Sequence, residues 1–323
     1  DLLLNLKNSW LRPYLKIFSC HRQHRVEILS VADHALPPMP RDDTAPQWLL
    51  SQCLAHKIQL VFLGKNTELF ESARQSFEEQ GIILITGSTD LSHHQDINDK
   101  YLFTQRCLAH ALPAIPAYQF SNVQEFLASY QQASECHPQD ALCAKPVKGV
   151  FAHGFIRFKQ DANFHGLFTV PVELTIDDFC SQYGRIEHPP AYILMPLLTG
   201  QECSVDIACH QGKILSKATR IKEGTRQKIR LNAECDDICH QLVTLFQLDG
   251  LINIQFKQDQ QGKWHILEIN ARPAGGFSYS IHTGCNLIAD LIAHKLNLPQ
   301  QPNTDYQDDI YVYPFTASLT EHL

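Results

Sequence analysis

No stretch of this chain approaches the roughly 18 uncharged apolar residues that a membrane-crossing helix needs. Its greasiest runs, such as Gly81-Ile82-Ile83-Leu84-Ile85, have the length of a strand, so no membrane segment is expected. An excess of basic charge is missing too: 27 Lys and Arg face 34 Asp and Glu, a formal charge of −7. Proteins that grip phosphate backbones concentrate surplus Lys and Arg on one face, so nucleic acid is not the expected partner. None of the eleven cysteines forms a CxxC pair, and their odd number and scattered spacing fit free thiols in a reducing cytosol better than a disulfide framework. Cys235 and Cys239, next to His240, and Cys203 and Cys209 around a strand lack the spacing of a structural zinc site. His93-His94 lies in a polar stretch that reads as a solvated loop. No Ser-His-Asp or Cys-His arrangement suggests a covalent nucleophile, and there is no internal repeat or low-complexity linker. Numbering starts at Asp1, and residues 2–20, broken by Asn5, Lys7, Asn8 and Arg12, do not read as a signal peptide, so a cytoplasmic location is expected.

What is present suits a globular chain of two or three packed units: 323 residues, 44% apolar and 19% charged. Strand and helix signals alternate over the first hundred residues. Residues 26–31 (VEILSV) read as a strand, 46–56 as a helix and 58–63 (IQLVFL) as a strand; 67–80 read as a helix closed by Gly81, and 82–85 as a strand. That βαβ order predicts a parallel sheet covered by helices. Residues 99–111 read as a helix ended by Pro113 and Pro116, and Ser121 as the cap of another helix.

From residue 141 the pattern changes. ALCAKP (141–146) reads as a short strand ending in Lys145, followed by a loop bracketed by Gly149 and Gly154. Backbone N–H groups of such a loop, with a nearby ammonium, can wrap an anion, although Lys145 alone reads equally as a solvated edge residue. Strands then recur: AYILM, CSVDIAC, KILSKATR, and, after a helix over 234–247, a hairpin of residues 250–257 and 264–269. Period-two alternation points Glu268 and Asn270 to one side, with Gln255 able to face them across the hairpin. One carboxylate and two amide oxygens can hold a hard cation that keeps waters and phosphate oxygens for its other positions, as Mg²⁺ does. Arg272 follows on the same face before Pro273-Ala274-Gly275-Gly276, where a cation can steady a phosphoryl group. The bland alternative is an ordinary hairpin with surface polar residues. Met195 and Leu197 read as core by spacing, and Arg220, Lys222 and Arg226 as a solvated basic face.

Four segments in one order, INDKYLF (97–103), AKPVKGVFAHGF (144–155), ILMPLLTGQECSVD (193–206) and LEINARPAGG (267–276), resemble the ATP-grasp superfamily over residues 26–298. Within it the chain is most similar to the carbamoyl-phosphate-synthetase-like branch of carboxylate-amine ligases, including ATP-grasp proteins of tellurite-resistance and stress operons. The resemblance implies a mixed α/β and α+β fold: a Rossmann-like pre-ATP-grasp domain (1–98), a connecting helix (99–120), a lid subdomain (121–195) and an antiparallel C-terminal core (196–323). It assigns Lys100 and Lys145 to nucleotide phosphates, the backbone of Met195 and Leu197 to adenine, Glu202 to ribose, and Gln255, Glu268 and Asn270 to Mg²⁺, with Mn²⁺ an acceptable substitute. Many relatives carry Glu at the place of Gln255, which leaves the metal number open. Phe151 and His153 stand where the family often has Gly or Ser, leaving His153 as a further phosphate contact. Arg272 and Arg220 are assigned to the reacting intermediate.

The activity so implied is ATP-dependent conversion of a carboxylate to an acyl phosphate and its capture by an amine. The partners are then two small molecules, with a homodimer compatible. Two alternatives stay open: a nucleotide-binding regulatory protein without turnover, which the glycine-poor loop and Gln255 would suit, and carboxyphosphate chemistry on bicarbonate.

Overall fold

Strand and helix alternate at the start of the chain as the patterning predicts, with one exchange. The strand Leu60–Phe62 pairs in parallel with Ile83–Ile85, and helix Ala45–His56 buries Leu49 and Cys53 against Phe70, Phe77 and Leu84. The predicted helix over 67–80 is two short helices, Thr67–Glu71 and Arg74–Glu78, which place Phe70 and Phe77 in that core. Residues 26–31 are not a strand: Val26–Leu29 is a helical turn in which the Ser30 hydroxyl donates to the Val26 carbonyl at 2.7 Å. The parallel pairing nearby is made by Phe18–Ser19 with His34–Ala35, so no neighbour offers residues 26–31 a ladder, and β-propensity yields to context.

The computed structural model describes every residue except 24, 65–66, 150–152, 170, 302–304 and 316–323. The chain divides into two compact units, residues 1–94, 203–255 and 269–323 in one and 95–202 and 256–268 in the other. A seven-stranded sheet runs in the order Trp264–Asn270, Leu248–Gln258, Glu202–His210, Lys213–Glu223, Arg226–Arg230, Ile310–Val312, with Gly87–Ser88 pairing onto Leu248-Asp249. In the first unit helix Leu287–Lys295 packs Leu287, Ile288, Leu291 and Ile292 with Leu6, Ala208 and Leu251. Helix Leu91–Asn98 begins there and corrects the reading of His93-His94. Both rings are buried, His94 Nε2 lying 3.0 Å from the Ser88 carbonyl and His93 edge-on to Phe246, because the segment is helical and turns them inward.

The second unit is built on a five-stranded sheet ordered Tyr118–Phe120, Tyr192–Pro196, Leu142–Pro146, Ile156–Phe158, Val172–Leu174. Alternation divides it into two faces. On one, Phe120, Ala144, Phe158 and Leu194 meet helices Val123–Cys136 and Ile176–Tyr183 through Phe126, Phe179 and Tyr183, with the Phe126 and Phe179 rings 4.7 Å apart. On the other, Cys143, Ile193 and Met195 join Ile115, Val147 and Leu198. Asn122, not Ser121, caps helix Val123–Cys136: its side chain accepts the Glu125 N–H at 2.9 Å. Ser121 gives its N–H and hydroxyl to the Glu125 carboxylate, so the two residues share the start of the helix. None of the eleven cysteines is in a disulfide, and no helix among the described residues is long and apolar enough to cross a membrane.

Candidate functional site

Three charged side chains converge in the second unit. Lys145 sits on Leu142–Pro146 opposite Ile193, on the face that carries Cys143 and Met195. Lys100 opens helix Lys100–Ala109, whose cap Asp99 accepts the N–H groups of Tyr101 and Leu102. The Lys100 backbone N–H donates to the Val147 carbonyl at 3.1 Å and its ammonium to the Gly149 carbonyl at 2.8 Å, fastening the helix start to the loop that follows the lysine strand. Glu268 comes from strand Trp264–Asn270, anchored by the Ile266 N–H on the Pro113 carbonyl at 2.9 Å and by the parallel bridge Ala114–Ile266.

The electrostatics of this cluster follow from its composition. Burial lowers the Lys145 pKa, and the carboxylate of Glu268 pulls it back. Lys100 is lowered by burial and then by Lys145, with Glu268 and Asp99 opposing. The two ammoniums repel one another where they are partly desolvated, with Glu268 and Asp99 opposing, and an entering anion would relieve both desolvation and that repulsion.

The rest of the predicted nucleotide set occupies the same unit. Met195 is buried, Leu197 is half-buried with its N–H already donated to Ala141 at 2.7 Å, and half-buried Glu202 lies 4.0 Å from Lys257. His153 is exposed. Gly154, at φ +72°, runs so close to Pro146 that a Cβ would come within 2.8 Å of its ring, which fixes glycine there. Phe151, with the rest of 150–152, lies outside the described residues.

The first unit holds a second, internally neutralised group. Arg220, on Lys213–Glu223, is 3% exposed; its Nε donates to Asp206 Oδ2, its Nη2 to Asp206 Oδ1 at 3.2 Å and its Nη1 to Gln227 Oε1 at 2.8 Å. Asn253 Nδ2 also donates to Asp206 Oδ1, at 2.7 Å. Burial pushes the Asp206 carboxyl up, and Arg220 and Asn253 oppose that shift. The Asn253 Oδ1 in turn accepts weak bonds from Gln255 Nε2 at 3.4 Å and Asn270 Nδ2 at 3.5 Å. Gly276 lets the double-glycine turn pass over Arg220, since a Cβ there would lie 2.5 Å from Nη1. Arg272 is half-buried, with Nη1 on the Pro273 carbonyl at 3.3 Å. Arg226 pairs with Glu223 and stacks over Tyr311 at 3.9 Å, a surface arrangement.

Sequence reading missed Asp206 and Asn253. Both had a signal: Asn253 stands two residues before Gln255 and so shares its face, and Asp206 is a carboxylate inside an apolar strand, where an unpaired charge would be costly.

Residues 188–317 match the family model described as ATP-grasp in the biosynthetic pathway with Ter operon. No curated protein matches the chain. Among solved structures it is similar to the ADP complex of purK, an N5-carboxyaminoimidazole ribonucleotide synthetase, at 16% identity, covering 92% of this chain and 74% of that one with a TM-score of 0.66. It is similar also to the biotin carboxylase domain dimer of Hydrogenobacter thermophilus 2-oxoglutarate carboxylase, in complex with MgADP, ADP and bicarbonate (13%, 96% and 70%, 0.67). A third is the L-amino acid ligase of Bacillus licheniformis (14%, 90% and 70%, 0.61). At such identities the likeness is one of fold: the chain has an ATP-grasp fold, and its residues 188–317 match an ATP-grasp family model.

Proposed function

We propose that the protein is an ATP- and Mg²⁺-dependent ligase that activates a small-molecule carboxylate and joins it to an amine. The observation that carries this reading is the Lys100–Lys145–Glu268 cluster, two ammoniums with lowered pKa beside a carboxylate in an ATP-grasp fold. In this reading Lys100 and Lys145 bind the nucleotide phosphates, with His153 reaching them from the loop. Met195 and Leu197 line the adenine side and Glu202 takes the ribose. Residues 121–195 act as the lid.

The residue types suit Mg²⁺: in this reading Glu268 supplies a carboxylate, and Gln255 and Asn270 supply amide oxygens. Mg²⁺, or Mn²⁺ in its place, would neutralise charge on the phosphate oxygens. A carboxylate oxygen of the substrate attacks the γ-phosphorus, ADP leaves, and the acyl phosphate is held by Arg272, while Arg220, paired with Asp206, supports the turn that follows Arg272. The amine then attacks the acyl carbon and inorganic phosphate departs. Positioning and charge perform the catalysis, and no side chain becomes covalently attached.

A thermal-shift screen of carboxylates and amines with Mg-ATP selects candidate substrates. ADP and phosphate release is then measured on the hits. Carboxylate-dependent ADP formation that disappears in a folded Glu268→Ala variant is the expected result. Undiminished turnover in that variant removes the metal assignment.

A further inference from the structure

Cys203 and Cys235 bring their sulfurs to 3.9 Å inside the first unit, where they are 2% and 1% exposed. Each is placed by its own element. Cys203 is the second residue of strand Glu202–His210 and the first after the chain passes between the units. Cys235 is the N-cap of helix Asp236–Leu245, whose inner face is fixed by buried Cys239, Leu242 and Val243. Cys239 lies one turn on, its N–H donating to the Cys235 carbonyl at 2.9 Å, and burial first, then Cys235 and Asp236, hold its thiol well above the usual range. Among the described residues no group of three or more His, Cys, Asp or Glu could hold a metal ion, so ligation does not account for the paired sulfurs.

We infer that Cys203 and Cys235 are an oxidisable dithiol that hydrogen peroxide converts to an intrachain disulfide. The sulfurs must close by about 2 Å to reach a bond of about 2.0 Å, a distance that side-chain rotation and a small shift at the helix start can cover. One sulfur attacks a peroxide oxygen, breaking the O–O bond to give a sulfenic acid and one water. The second sulfur attacks the sulfenic sulfur, the S–O bond breaks, and its oxygen leaves as a second water that carries the remaining thiol proton. The bond would tie the start of the strand that follows Glu202 to the start of helix Asp236–Leu245.

The test treats the folded full chain with peroxide, alkylates the remaining thiols, and maps peptides without reduction. Expected are an intact mass lower by two hydrogens, restored by dithiothreitol, and a cross-linked peptide pair containing Cys203 and Cys235. Cys239→Ala should keep the cross-link and Cys235→Ala should lose it. The inference is overturned if Cys203 and Cys235 both remain alkylatable after oxidation, or if the cross-link joins other cysteines. The wild-type peptide map decides the matter alone if Cys235→Ala does not fold.

Discussion

The two charged groups of this molecule are built on opposite plans. In the second unit Lys100 and Lys145 repel one another beside Glu268 and Asp99, and both lysines have lowered pKa values. In the first unit Asp206, Arg220, Asn253 and Gln227 satisfy one another in a buried network that ends on the amides of Gln255 and Asn270. The first plan is costly until an anion arrives and therefore favours binding one. The second is complete in the free protein and serves to orient. Substitutions in the first group should thus cost function and spare the fold, whereas substitutions in the second should cost stability.

The largest effect should come from Glu268→Gln, which keeps the shape and removes the charge. ADP formation should fall by about a hundredfold or more, with an unchanged urea midpoint. A fall in both would erase the contrast between the two groups. Next comes Arg220→Met, which strands a buried Asp206. Urea unfolding should show a loss of about 3–5 kcal/mol, and converting Asp206 to Leu in the same chain should recover a large part of it. Stability equal to wild type would mean that the network is not buried in solution.

A smaller and sharper test uses pH. An ammonium must be protonated to attract phosphate, so ATP affinity should be full below the lowered lysine pKa values and fall as pH rises through them, beginning below the ordinary lysine range. Glu268→Gln removes the charge that raises those values, so the fall should begin at still lower pH. A pH profile that does not move would place Glu268 away from the lysines. The smallest effect is expected from Gln255→Glu, which adds a charge to the donor set and should tighten Mg²⁺ or admit a second ion, read by metal titration with a non-hydrolysable ATP analogue. An unchanged titration would show that Gln255 faces elsewhere.

Much of the architecture was legible because its signals are local. The hairpin read at 250–257 and 264–269 and the strands read around 202–220 appear as strands Leu248–Gln258, Trp264–Asn270, Glu202–His210 and Lys213–Glu223, and the helix read at 99–111 appears as Lys100–Ala109. The failures were tertiary. Val26-Glu27-Ile28-Leu29 has strand composition but no partner to pair with, and His93-His94 looked solvated until a helix turned both rings onto Ser88 and Phe246. At the site, Lys145 and Glu268 stood out as charges beside glycine loops and alternating polar residues. The bond from Asn253 to Asp206 joins strands 47 positions apart, and neither residue's neighbours in sequence announce it.

The central claim, carboxylate activation as an acyl phosphate, is tested most directly by hydroxylamine trapping. The protein is incubated with Mg-ATP, the carboxylates selected by thermal shift, and hydroxylamine in place of the amine, and ADP and hydroxamate are quantified together. One carboxylate should give equal amounts of ADP and hydroxamate, and Arg272→Ala should lose the hydroxamate while still binding Mg-ATP. Tight Mg-ATP binding with neither ADP nor hydroxamate across a broad carboxylate panel would contradict it, and would make the protein a nucleotide sensor on an ATP-grasp fold.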